Sequence, residues 1–69
     1  MTAYPNLAKA MDERGFTVAD LAALIGDTVG SVSMKIQGIT EWTLTDALIL
    51  YNTFNYSDIT KLFLRLDYK

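Results

Sequence analysis

The chain contains no cysteine and no histidine. Without cysteine there is no disulfide to staple a small fold and no thiolate to attack a substrate or hold a soft metal. Without histidine, the usual general base near neutral pH and the commonest metal ligand are both missing. Proline occurs once and glycine four times, too sparsely for a linker, a repeat or a low-complexity segment. Charge is also thin. Eight acids against six bases leave a net charge of −2 and a pI near 4.7, so the basic footprint of an avid nucleic-acid binder is absent. No apolar run approaches the roughly 20 residues of a bilayer span, and no leader pattern opens the chain. The expectation is a cytoplasmic protein with no membrane partner.

These absences exclude most chemistry. No nucleophile–base pair can be assembled, and no glycine-rich phosphate loop is present, so an enzyme with a small-molecule substrate is not expected. Asp12, Glu13 and Asp58 are scattered acids, spaced as solvated surface and helix starts rather than as an oxygen cage. No metal and no cofactor are expected.

What the chain does have is apolar residues, at 51% of 69 positions. Residues 1–69 therefore read as one domain, near the size at which a single core suffices. Packing, alone or helped by self-association, must hold it together.

The most informative stretch runs from Phe16 to Gly38. Thr17 precedes Asp20 by three residues, and Thr28 follows Gly26 by two. A hydroxyl just before a helix accepts a hydrogen bond from an unpaired N–H, and a carboxylate in the first turn suits the positive end of the dipole. Phe16 and Leu21 flank the first cap as a hydrophobic staple does. The spacing predicts a helix over 18–25, a tight turn at Gly26 and Asp27, and a second helix from Val29 to about Gln37, stopped by Gly38. Two short helices joined by such a turn form a helix-turn-helix.

Elsewhere, Pro5 or Asn6 opens a first helix that Gly15 ends. Thr43 and Asp46 repeat the hydroxyl-to-carboxylate cap. Leu44, Ala47, Leu48 and Tyr51 then recur at helical spacing, with Ile49, Leu50 and Phe54 also apolar, which predicts a central helix buried on more than one side. The stretch from Asn55 to Asp58 breaks the pattern. Ile59, Leu62, Phe63 and Leu66 restart it as a final helix. The expected fold is all-α, with five short helices.

Several of these positions carry a resemblance. Thr17, Leu21, Ala22, Ile25, Gly26, Thr28 and Val32, then Lys35 to Gly38, Trp42 to Leu44, Asp58, Ile59, Leu62 and Phe63, resemble the lambda repressor/Cro-like (XRE) helix-turn-helix family. The likeness is to its small phage and prophage regulators. It implies a compact five-helix domain with the helix-turn-helix formed by helices 2 and 3. Leu21, Ala22, Ile25, Gly26 and Val32 pack the pair. Ala22 is small where the helices cross, and Gly26 can take a positive φ. The implied function is reversible occupation of operator DNA, with helix 3 in the major groove and a homodimer supplying two half-sites.

The surface positions depart from the family pattern. Where members often place a phosphate-anchoring Gln stands Val18, and the recognition helix opens with Val29 and Gly30. Asp27 sets an acid beside that helix. The candidate contacts are Thr28, Val29, Gly30, Ser31, Ser33, Met34 and Lys35, with Val29 or Met34 able to touch a thymine methyl. Lys35 is the one base within the motif, so binding to double-stranded DNA should be weak and its salt slope shallow. The other reading is a protein-interaction module of the same fold that binds and modulates a partner regulator, since small and apolar surface residues suit a protein partner. Trp42 reads first as a core or loop anchor. Leu64 and Tyr68 lie off the last apolar stripe and are candidates for self-association.

Overall fold

A computed structural model of the chain describes residues 3–66. Five helices follow one another: α1 (Pro5–Arg14), α2 (Val18–Ile25), α3 (Val29–Ile36), α4 (Leu44–Thr53) and α5 (Ile59–Leu62). No strand occurs among the described residues, and no helix among them is long and apolar enough to cross a membrane.

Capping chemistry sets where the helices start. Thr17 and Asp20 form a reciprocal box: the Thr17 Oγ1 accepts from the Asp20 N–H at 3.2 Å, and the Asp20 carboxylate accepts from the Thr17 N–H at 2.7 Å. Thr28 accepts from the Ser31 N–H at 3.1 Å, and Thr43 from the Asp46 N–H at 3.0 Å. Each bond satisfies a donor that the first helical turn leaves open. Gly26 ends α2 in the left-handed region at φ 70°, a conformation costly for any residue with a Cβ. That turn brings α3 back against α2.

Each helix contributes one fully buried side chain: Leu7, Leu21, Val32, Leu50 and Leu62. Ala22, Ala10, Met11 and Phe54 fill the space between them, and Ile25 packs on the edge. Phe16 lies against Phe54 with ring centroids 5.3 Å apart. Leu21, Ala22 and Val32 are all buried in this one cluster; α2 packs on α3 and α4, and α4 also on α5.

The ends of the chain clasp the body. The Ala3 N–H donates to the Ile36 carbonyl at 3.0 Å, and the Leu66 N–H to the Ala3 carbonyl at 3.2 Å. Asn6 donates to the Lys61 carbonyl at 2.8 Å. Arg14 donates to the Phe54 carbonyl at 3.0 Å, serving the negative end of α4. Gly38 sits beneath this clasp, where a Cβ would lie 2.9 Å from that of Ala3 and still closer to the Arg65 guanidinium.

Two expectations need correcting. The last helix ends at Leu62 rather than continuing to Leu66, which is 73% exposed. Beyond Leu62 the Leu64 N–H turns back to the Lys61 carbonyl and the Leu66 N–H goes to Ala3, so tertiary bonds replace the helical ladder. Leu64 is exposed but not on a helix; Tyr68 lies outside the described residues. In α4, the Leu44–Leu48 edge is exposed and the buried stripe is Asp46, Leu50 and Phe54. Both stripes have helical spacing, and contact with α2 and α5 selects the second.

The burial of Ala22 makes a direct prediction. Ala22 is 4% exposed, so Ala22→Leu should overpack the α2–α3 contact and cost about 1–3 kcal/mol in urea unfolding. A variant as stable as the parent would mean that the two helices do not meet at Ala22.

Candidate functional site

An α-helix turns about 100° per residue, and this divides α3 into two sides. Val32 is fully buried, and Ile36 packs against the core. Lys35 joins them on the inward side, its side chain only 12% exposed. Thr28, Val29, Gly30, Met34 and Gln37 are exposed, and Ser33 is half-buried.

The seven candidate contacts therefore split. Thr28, Val29, Gly30, Ser33 and Met34 share the open side. Ser31 and Lys35 turn away from it, because both are drawn to Asp27. The Ser31 hydroxyl donates to the Asp27 carboxylate at 2.9 Å, and the Lys35 ammonium to the same oxygen at 3.1 Å. The second Asp27 oxygen accepts from the Thr28 N–H at 2.8 Å. Asp27 is thus not a bare acid beside the helix start. It accepts from three donors, one of them the ammonium of Lys35.

Lys35 also reaches Asp46 at 2.8 Å and lies 5.7 Å from the centre of the Trp42 ring. Trp42 anchors the α3–α4 loop, edge-on to Phe63 and Tyr4 at 5.7 and 6.4 Å. One ammonium between two carboxylates thereby ties the α2–α3 turn, α3 and the first turn of α4 together. Asp27 is held below its ordinary 3.8, first by the Thr28 N–H, then by Lys35 and Ser31. For Asp46 the largest single influence is burial, which raises its pKa, but hydrogen bonds from Lys35 and Thr43 outweigh it and the net shift is downward. Lys35 is pushed above 10.5 by its bond to Asp46, against the opposing effect of burial and with help from Asp27.

The open side carries no cation of its own among the described residues. Its long side chains are Val29, 51% exposed, Met34, 42% exposed, and Gln37, whose amide donates to the Ser33 hydroxyl at 3.1 Å. Ile39 follows, with its N–H on the Met34 carbonyl. Gln37 is legible from its place four residues after Ser33, but in the sequence it stands only as the end of the helix that Gly38 stops. At Gly30 a Cβ would meet nothing within 4 Å, and its φ is not positive. The fold makes no use of this glycine, although it costs a helix roughly 0.5–1 kcal/mol relative to alanine.

Lys9 lines a shallow depression with Val18 of α2 and Ile36 of α3. Asp12 lines the same depression, and Arg14 lines another with Phe16 and Asp20. Arg65 is engaged elsewhere, donating to the Gly38 carbonyl at 3.3 Å and pairing with Glu41 at 3.5 Å. In comparisons with family models, curated proteins and solved structures, nothing matches this chain.

Lys35→Met should leave two carboxylates without their cation and lower stability by about 1 kcal/mol at neutral pH. This is less than for a deep pair because solvent lies close. The two lowered carboxylates contribute above about pH 3.8 and lose that contribution as pH falls through their native pKa values. The raised Lys35 contributes fully below 10.5 and loses it as pH climbs past its native pKa. In urea unfolding across pH, the gap between parent and variant should narrow at both extremes. A gap independent of pH would contradict the charge pairing.

Proposed function

We propose that this chain is a small transcriptional regulator of the phage or prophage type that binds operator DNA through a lambda repressor-like helix-turn-helix formed by α2 and α3. One observation carries the reading. A short helix, returned by a glycine turn onto α2, is seated on the core by Val32, Lys35 and Ile36. Its opposite side, from Thr28 to Gln37, stays open. That is the presentation a recognition helix needs to enter a major groove. Pairing of Asp27 with Lys35, Ser31 and the Thr28 N–H weakens the repulsion a bare acid would exert on phosphates.

Affinity in this reading comes from fit rather than charge. Lys35 is committed to two carboxylates, so this reading assigns a phosphate contact to Lys9, which lines a depression with Val18 of α2. A homodimer would present two copies of α3 to two half-sites. Leu64 and the Leu44–Leu48 edge of α4 are the exposed apolar surface such pairing would use.

A second reading is favoured by the chemistry of the open side itself. Val29, Met34 and the 66% exposed Ile39, with no cation among them, would also suit a partner regulator captured through apolar contact.

Salt-titrated binding to duplex DNA separates the two. The first reading predicts measurable binding with a shallow dependence of log K on log salt, each phosphate contributing about −0.9. Lys9→Ala should flatten the slope by one such step, and Val29→Asp or Met34→Asp should abolish binding. Undetectable DNA binding at physiological salt would favour the protein-directed module. DNA binding that survives both Asp substitutions would overturn the assignment of the open side.

A further inference from the structure

We propose that α3 reads DNA chiefly through the 5-methyl groups of thymine, with Val29 and Met34 as the two residues that set specificity. The proposal rests on the DNA-binding reading above and adds the chemistry of what is read. In the major groove every base edge offers a donor, an acceptor or both, but only thymine offers a methyl group.

The open side of α3 is built for that group. Bidentate reading of guanine needs Arg or Lys, and the one cation of α3 is held inward between Asp27 and Asp46. Ser33 and Thr28 carry hydroxyls that accept or donate to either base type. The Ser33 hydroxyl already receives the Gln37 amide, and the Thr28 oxygen already receives the Ser31 N–H. The side chains that project without a polar partner to satisfy are Val29 and Met34.

Their placement is complementary. From the helical repeat, Val29 and Met34 stand about 140° apart around the axis and about 7.5 Å apart along it. They bound the open arc, with Gly30, Ser33 and Gln37 between them. The axial distance is close to two base steps of about 3.4 Å. Val29 is stiff at χ1 and offers a fixed methyl surface. Met34 is flexible and can follow a methyl group whose position varies. Gly30 provides the notch between them. A Cβ there would touch nothing in the protein, so the space is left for whatever the helix approaches. With no side chain at the middle of its first turn, the α3 backbone can come close enough for both flanking groups to reach base edges.

The test uses the full chain and chemically altered DNA. A duplex selected from a random pool is resynthesised with deoxyuridine replacing thymine one position at a time, which deletes only the methyl group. Losing one buried methyl should weaken binding about fourfold, at one or two positions per half-site. Val29→Ala should erase the loss at one position and Met34→Ala at another. A duplex bound equally well with every thymine replaced would overturn methyl reading while leaving α3 as the DNA-binding element. A loss identical in the parent and both alanine variants would assign the effect to DNA shape and overturn it as well. A pool from which no duplex can be selected would overturn the DNA-binding reading itself.

Discussion

Lys35 is a cation on the inward side of a helix whose other inward residues are apolar, and its position constrains much of the structure. Its ammonium meets Asp27 from the turn before α3 and Asp46 from the first turn of α4. Placed elsewhere on α3, it would face solvent and leave Asp46, only 9% exposed, buried without its cation. That cost makes the network a device for register more than for stability. Replacing all members of such a network with apolar residues is often neutral, whereas removing one member is expensive. The trio therefore fixes how α3 is rotated about its axis. With Lys35 inward, Val29, Gly30 and Met34 must point out.

The proposed function rests on that rotation. A domain of this size, with no disulfide, has few ways to hold a short helix firmly while leaving one side of it bare. Here Val32 supplies burial, the Asp27–Lys35–Asp46 trio supplies orientation, and the clasp of Ala3 on Ile36 secures the far end of α3. The open side can then carry residues that do nothing for the fold. Gly30 is the clearest case, since the helix would be more stable with alanine there.

Much of the fold was legible in the sequence because its signals are local. Thr17 with Asp20, Thr28 and Thr43 mark three helix starts through contacts within one turn, and Gly26 marks the turn through its own backbone preference. The misreadings all involve choices made over long range. In α4 two apolar stripes overlap, and only contact with α2 and α5 decides that Leu50 is buried while Leu44 is not. After Leu62 the chain abandons the helix because Ala3 accepts from Leu66, a partner sixty-three residues away in sequence. Lys35 counted as a surface cation since nothing local pairs it. Asp27 lies eight residues before it and Asp46 eleven after, separations that helical periodicity does not connect.

The central claim is that the outward side of α3 is the surface this protein presents to DNA. Amide chemical-shift mapping on addition of short duplex DNA at low salt tests it most directly. The account predicts shifts concentrated at Thr28, Val29, Gly30, Ser33, Met34 and Gln37, with smaller ones near Lys9 and little change at Leu44, Leu48 or Leu64. Shifts that leave Val29, Gly30 and Met34 unmoved while others respond would contradict it.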